Sequence, residues 1–217
     1  MTTAEVIDLL KQKSNPANLA GMKRFGINDD FALGIRIPDL RKIARTIKID
    51  HTLALALWKT KIHEARILAS MIADPLQFTE AQADEWVLGL NSWDVCDQLC
   101  GNLLVRSPFV IRKAFEYASR DEEFVKRAGF VLMAEYAVHG KKAANEVFLA
   151  FFPVIEREAV DDRNFVKKAV NWALRQIGKR NPDLRIHAID SARHISLQIS
   201  RSAKWIAANA LLELSGK

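Results

Sequence analysis

The chain has 217 residues, a net charge of +6 and 49% hydrophobic residues, so it is long enough to bury a substantial core. No apolar run reaches the ~18 residues that a membrane-spanning helix requires. The N-terminus begins as an amphipathic helix and lacks the apolar segment of a signal peptide. These features argue against a membrane protein and predict a cytoplasmic one.

The cysteines and histidines do not have the spacing of a metal site. Cys96 and Cys100 share one predicted helix, which is poor geometry for a disulfide and leaves a zinc ion short of ligands. The histidines show neither an H-x3-H nor an HExxH pattern. They are His51, His63, His139, His187 and His194. We therefore expect reduced cysteines that pack in the core, no metal ion and no cofactor.

The positive charge is concentrated in one part of the chain. Residues 163–204 contain ten Lys or Arg and two acidic residues, whereas the remainder has 22 basic and 24 acidic residues. A local excess of +8 favours a polyanionic partner, and nucleic acid is the first candidate. The alternative is a solvated basic surface without a partner.

Apolar residues recur with the period of an α-helix almost throughout, and the alternation typical of strands is absent. Thr3, Pro38 and the Thr79–Gln82 capping box mark helix starts, and Pro153 predicts a break within a helix. The predicted helices cover residues 3–13, 15–25, 39–47, 52–58, 63–73, 79–90, 91–106, 107–119, 121–139, 141–159, 162–179, 183–197 and 200–214.

Three segments of the chain are similar to one another. Those that begin at Glu64, Val125 and Val166 each place a basic residue before a small residue and an apolar run. Stacked helix pairs of this kind bury apolar faces that a single pair cannot bury, as in HEAT-like repeats. The sequence therefore predicts an all-α fold in a single domain over residues 1–217. The domain would be a superhelical α-solenoid of degenerate HEAT-like repeats with a concave basic groove.

The segment 91–100 begins with helix-capping residues and continues as an amphipathic helix. Trp93 and Asp97 share one face of this helix, whereas Val95 and Leu99 lie on a different, core-facing side. We expect an indole and a carboxylate to point out of the core together. The alternative is an ordinary capped helix in which the tryptophan packs under a neighbour and Asp97 is a surface acid.

A second mixed stripe lies on the helix predicted over residues 162–179. It consists of Lys168, Trp172, Arg175 and Lys179. Basic residues beside an aromatic ring are typical of a nucleic-acid groove, because they suit phosphates and bases respectively. The alternative is that Trp172 packs inward while the basic residues surround it. Arg127 could face the same side, or it could pair on the surface with Glu123 one turn earlier.

In these segments the chain resembles the bacterial DNA alkylation repair proteins, the alkylpurine DNA glycosylases built from HEAT-like repeats. The resemblance extends from about residue 20 to the C-terminus. It is carried, in order, by GIRIPDLR (34–41), SWDVCD (92–97), KRA (126–128), KAVNWALR (168–175) and NPD (181–183).

The resemblance implies roles for individual residues. Asp97 corresponds to the catalytic carboxylate of the family, and Trp93 and Trp172 correspond to the two indoles of its cleft. Arg127 corresponds to the cleft arginine. Contacts to the DNA backbone are implied for Arg175 and Arg36, and the basic stripe adds Lys168 and Lys179 as phosphate contacts.

The resemblance also implies the reaction. The protein would be a monofunctional glycosylase that hydrolyses the N-glycosidic bond of positively charged N3- or N7-alkylated purines in double-stranded DNA. It would act without flipping the base and would need no cofactor. Because the groove of a glycosylase must stay open, we also expect a monomer. Two alternatives stay open: a non-catalytic family member that recognises damaged or branched DNA, and a HEAT-repeat scaffold for protein interactions.

Overall fold

The computed structural model describes residues 1–216, and every regular element within them is helical. The predicted all-α class is therefore confirmed. By its internal contacts the chain divides into two compact units, Met1–Pro108 and Phe109–Lys217. Among residues 1–216, no helix combines the length and the apolar character needed to cross a membrane.

The first unit is organised around its fifth helix, which packs against the third, fourth and seventh helices and is buried along almost its whole length. Short 3₁₀ turns precede the second helix and follow the seventh. The elements are α1 (Thr3–Gln12), a 3₁₀ turn (Pro16–Asn18), α2 (Leu19–Arg24), α3 (Ile37–Ile47), α4 (His51–Lys59), α5 (His63–Ile72), α6 (Glu80–Leu88), α7 (Trp93–Asn102) and a 3₁₀ turn (Leu104–Arg106).

Two of the tryptophans belong to the core of the first unit. The rings of Trp58 on α4 and Trp86 on α6 are parallel, with centroids 4.1 Å apart, and Phe78 meets Trp86 edge-on. The guanidinium of Arg66 lies over the Trp58 ring at 5.1 Å and donates a 3.0 Å hydrogen bond to the carbonyl of Gly89. These contacts join α4, α5 and α6, and they satisfy a charge that is costly to bury alone.

The second unit is organised around its second and fifth helices, which pack against each other. Its elements are α8 (Val110–Ala118), α9 (Glu123–His139), α10 (Asn145–Leu149), α11 (Phe152–Glu158), α12 (Asn164–Gly178), α13 (Pro182–Ser196) and α14 (Arg201–Leu214). Helices α8 and α9 approach each other closely at Gly129. A Cβ atom at that position would lie 2.3 Å from the backbone nitrogen of Ala118.

Several predicted boundaries are confirmed and others are wrong for local reasons. The capping box at Thr79 is present, and Pro153 lies in the first turn of α11 after the predicted break. The first helix is capped by Thr2 rather than Thr3, because the Thr2 side chain reaches the backbone nitrogen of Glu5. The segment 15–25 is not one helix, since Pro16 opens a 3₁₀ turn before α2.

The helix predicted over residues 91–106 is also shorter than expected. It ends at Asn102, and a separate 3₁₀ turn follows. The next helix begins at Val110 rather than beside Pro108.

Candidate nucleic-acid interface

Helix α7 presents Trp93 and Asp97 away from its buried side. Val95, Cys96, Leu99 and Cys100 are all buried, whereas Trp93 and Asp97 are partly exposed. Both cysteines pack in the core, as predicted, and they form no disulfide with each other. The structure therefore confirms that the apolar side of this helix is separate from the side that carries the indole and the carboxylate.

The indole of Trp93 is held by a specific contact. Its Nε1 atom donates a 3.0 Å hydrogen bond to the backbone carbonyl of Phe25, just after α2. Because an indole N–H is a donor only, this bond fixes the edge of the ring that carries Nε1. Trp93 is thus only partly exposed, and its indole contacts the chain just after α2, so the alternative of a tryptophan that packs against a neighbour stays open.

The N-terminus of α7 is fixed by a buried polar cluster. The Nε2 atom of His63 lies 2.8 Å from Oδ2 of Asp94, and the hydroxyl of Ser92 donates to Oδ1 at 2.6 Å. Burial acts to raise the pKa of the Asp94 carboxyl, but the hydrogen bonds from His63 and Ser92 and the charge of His63 outweigh it and hold the pKa below its ordinary range. Ser92 thus bonds a side chain rather than the free helix N–H groups expected of a cap.

The loop before α3, which ends at Arg36, is anchored by a buried carboxylate. Glu64 is 1% exposed and accepts hydrogen bonds from the backbone nitrogens of Leu33, Gly34 and Ile35 at 2.8, 2.7 and 3.2 Å. Arg36 itself is exposed and forms a 3.2 Å ion pair with Asp39. The loop is rigidly attached to α5, and the guanidinium of Arg36 lies at its solvent-facing end.

In the second unit, Arg127 is a buried residue rather than a surface partner of Glu123. Its side chain is on α9, the residue is 5% exposed, and Nη1 donates a 2.5 Å hydrogen bond to the carbonyl of Phe165 on α12. The neighbouring Lys126 pairs with Glu158 at 2.7 Å. The surface pairing considered for Arg127 is therefore not its environment, and its guanidinium joins the two central helices of this unit.

The four residues of the α12 stripe have different surroundings. Trp172 is partly exposed, and Val170, Ala173, Leu174 and Ile177 form the buried face, as predicted. Lys168 is exposed. Arg175 and Lys179 both pair with Glu213 of α14, the lysine at 2.7 Å. Hydrogen bonding by Lys179 and the positive charge of Arg175 lower the pKa of Glu213, so this carboxylate is ionised at neutral pH and offsets part of the stripe's charge.

Sequence spacing did not reveal three residues that shape these surroundings. They are His63, Glu64 and Glu213, whose partners lie 29 to 38 residues away in the chain. No local pattern predicts such pairs. Within residues 1–216 no cluster of His, Cys, Asp or Glu could hold a metal ion.

A family model described as "DNA alkylation repair enzyme" matches residues 6–211, which is nearly the whole chain. The chain belongs to this DNA alkylation repair family. The family resemblance carried by the five sequence segments is thereby confirmed. A search of the curated proteins finds no match.

This member of the DNA alkylation repair family is similar in fold to one solved structure. The match covers 96% of this chain and 93% of the solved chain, with a TM-score of 0.81 and 17% sequence identity. The solved structure represents "a new family of proteins related to the HEAT-like repeat DNA glycosylases with affinity for branched DNA structures". At this identity the similarity establishes the fold, and the predicted class of HEAT-like helical repeats is confirmed.

Proposed function

We propose that this protein is a monofunctional DNA glycosylase that excises N3- or N7-alkylated purines from double-stranded DNA. The observation that carries the proposal is the arrangement on α7. Trp93 and Asp97, one helical turn apart, are partly exposed together while the opposite side of the helix is buried. Membership of the DNA alkylation repair family supports the choice of DNA and of alkylated bases.

The chemistry of the lesion fits a site with one carboxylate. An N3- or N7-alkylpurine already carries positive charge, so it leaves without needing a strong general acid. Cleavage of the N-glycosidic bond develops positive charge on the deoxyribose, and the carboxylate of Asp97 would stabilise that charge and orient the attacking water. A preorganised group of this kind contributes roughly 3–4 kcal/mol to transition-state stabilisation.

The aromatic residues have a distinct role in this proposal. The ring face of Trp93, whose edge is fixed by Phe25, would attract the cationic nucleotide by a cation–π interaction. For Trp172 on α12, in the second unit, a contact to DNA is proposed from the family resemblance and from its partial exposure. An electrostatic site on a partly exposed helix does not require the lesion to be flipped into a closed pocket, in contrast to most enzymes that modify bases.

The basic residues would bind the DNA backbone. Lys168 is exposed, and Arg36 is exposed although it pairs with Asp39 on the surface. Other protein groups engage Arg127, Arg175 and Lys179 in the structure. For these three, DNA phosphates would compete with a carbonyl or with Glu213. We propose that the protein acts on duplex DNA as a monomer and without a cofactor.

A second candidate is a binding protein that recognises branched or damaged DNA without cleaving it. The observation in its favour is the similarity of fold to a family described as having affinity for branched DNA structures. The two candidates share DNA binding that weakens steeply with salt, and that dependence separates both from a protein-interaction scaffold.

The test measures free base released from methylated duplex DNA by the wild type, by Asp97→Asn and by the control Asp162→Asn, in which an exposed carboxylate of the second unit is neutralised. We expect release by the wild type and the control, and a loss of about 100-fold or more in Asp97→Asn. DNA affinity is measured for all three proteins. Binding without release by the folded wild type would overturn the glycosylase and leave the binding protein.

A further inference from the structure

The basic residues at the two ends of α12 have different surroundings. Arg175 and Lys179, near the end of α12, share the carboxylate of Glu213. Near the start of the same helix, Lys168 is exposed, and so are Arg201 and Lys204 on α14. Among residues 1–216 none of these three forms an ion pair. Exposed cations without an ion pair therefore gather near the start of α12, whereas near its end Glu213 balances one of the two charges.

Helices α12 and α14 run side by side in the same direction. Near their starts, the ammonium of Lys167 lies 5.1 Å from the ring centroid of Trp205. Near their ends, a Cβ atom at Gly178 would lie 2.9 Å from Leu214. The first turns of α14 therefore lie beside the first turns of α12, and they bring basic residues from both helices to one indole.

Trp205 differs from the tryptophans that serve the core. It is 37% exposed, whereas Trp58 and Trp86 are 4% and 2% exposed and stack on each other. Arg201 precedes Trp205 by one helical turn and so shares its face, and Lys204 is adjacent in sequence. An exposed indole among cations is the arrangement that single-stranded nucleic acids bind, because bases stack on the ring and phosphates pair with the cations.

We propose that Trp205, Lys167, Arg201 and Lys204, the Trp205 platform, bind an unstacked nucleotide of DNA. The base stacks on the indole in place of the Lys167 ammonium, and Lys167 turns to a phosphate. Arg201 and Lys204 bind neighbouring phosphates. The platform lies wholly within the second unit and uses none of the residues assigned to the glycosylase reaction.

The exposed indole of Trp205 favours a single strand over a duplex as the ligand. In a duplex the bases are stacked on one another, so a basic surface needs only phosphate contacts and gains little from an exposed ring. The platform therefore fits the single-stranded arm or unpaired junction of a branched DNA. The inference rests on the proposed function in taking DNA, rather than RNA, as the polyanion.

The experiment measures the affinity of the full chain for an undamaged single strand of about 12 nucleotides, for the matching duplex and for the RNA of the same sequence. Wild type, Trp205→Ala and Trp205→Phe are compared by fluorescence anisotropy of labelled nucleic acid. We expect Trp205→Ala to bind the single strand about tenfold more weakly. Trp205→Phe should retain most of the affinity, and the duplex should be affected less than twofold.

The charged residues are tested in the same assay. Arg201→Gln combined with Lys204→Gln should reduce the slope of log affinity against log salt for the single strand by about 1.4, which is about 0.7 for each lost phosphate contact. The control, Lys11→Gln combined with Arg45→Gln, removes two exposed charges from the first unit and should leave the slope unchanged.

Three results would overturn the platform: equal losses on single strand and duplex in Trp205→Ala, no loss in that variant while it remains folded by circular dichroism, or tighter binding of RNA than of DNA. Because the readout is binding of undamaged DNA, a wild type that releases no alkylated base would remove the glycosylase proposal and leave this test intact.

Discussion

His63 and Asp94 join the central helix of the first unit to the first turn of the candidate catalytic helix. Their closest atoms, Nε2 and Oδ2, are 2.8 Å apart, and both side chains are largely buried. Ser92 completes the cluster through Oδ1 of the same carboxylate. Since Asp94 follows Trp93 directly and precedes Asp97 by one turn, the pair fixes the position of the residues on which the proposed chemistry depends.

Asp94→Asn should lower the free energy of unfolding by about 1–3 kcal/mol at neutral pH, because it weakens a buried, charge-assisted bond to His63. The folded-state pKa of Asp94 is lowered, so its stabilisation is present above the ordinary carboxyl pKa of about 4 and is lost as the pH falls through the lower folded value. Urea denaturation from pH 7 to pH 3 checks this. The wild type and the variant should differ most at neutral pH and converge in acid. A difference that grows on acidification would contradict the assignment, and Asp162→Asn serves as the exposed control.

Glu64→Gln should destabilise the loop that leads to Arg36. The carboxylate accepts three backbone hydrogen bonds, and a glutamine amide would place its own donors against one or more of those N–H groups. We expect a loss of about 2–3 kcal/mol in unfolding free energy and faster amide exchange at Leu33, Gly34 and Ile35. Glu146→Gln, at an exposed position, should change the unfolding free energy by no more than about 0.5 kcal/mol and should leave exchange at the three amides unchanged. Unchanged exchange at the three amides would show that the carboxylate does not hold the loop.

Gly129→Ala should be among the most destabilising single-methyl additions in the second unit. The new Cβ would meet the backbone of Ala118 at 2.3 and 2.7 Å, so α8 and α9 would have to separate. We expect a cost of about 3 kcal/mol or more. Gly21→Ala is the control, because no atom lies within 4 Å of its Cβ position and alanine favours the helix. Thermal unfolding of the two variants should shift in opposite directions, and a tolerated Gly129→Ala would contradict the close approach of the helices.

Glu213→Gln should strengthen DNA binding. The substitution removes the negative charge shared by Arg175 and Lys179, which are then available to phosphates. We expect affinity for undamaged duplex DNA to rise several-fold and its salt slope to steepen by about 1–2. Asp190→Asn, which removes a carboxylate paired with the exposed Arg193, is a control of equal charge change. Equal effects of the two variants would indicate that only net charge matters and that Arg175 and Lys179 do not contact DNA.

Trp93→Phe and Trp93→Ala should separate the two contributions of the indole. Phenylalanine keeps an aromatic face but loses the 3.0 Å hydrogen bond to Phe25. We expect base release to fall by about tenfold in Trp93→Phe and by about 100-fold in Trp93→Ala, since the second change also removes the cation–π contact. The rates of base release by the wild type and the two variants are compared under single-turnover conditions. Equal rates for alanine and wild type would remove Trp93 from the proposed site.

The sequence predicted those features that depend on near neighbours. The Thr79 capping box, the break at Pro153 and the separation of Trp93 from the apolar side of α7 all follow from spacings of a few residues. Boundaries failed where a proline favoured a 3₁₀ turn, as at Pro16, because a short turn and a helix start share the same signals.

The parts of the candidate site that escaped prediction depend on residues far apart in the chain. The partner of Asp94 is 31 residues away and that of Arg175 is 38 residues away. Periodicity places Arg175 and Lys179 in a basic stripe, but it does not show that Glu213 of another helix shares their charge. The buried position of Arg127 has the same origin, since it depends on how α9 and α12 pack.

Glycosylase activity is tested by the single-turnover rate of 7-methylguanine release from a duplex with one such lesion, with wild-type protein in excess and with no protein. We expect release at least about 100-fold faster than the protein-free reaction, and no release of an unmodified guanine from the same duplex. Release no faster than the protein-free rate, from a folded protein shown to bind that duplex, would contradict the assignment of this chain as a glycosylase.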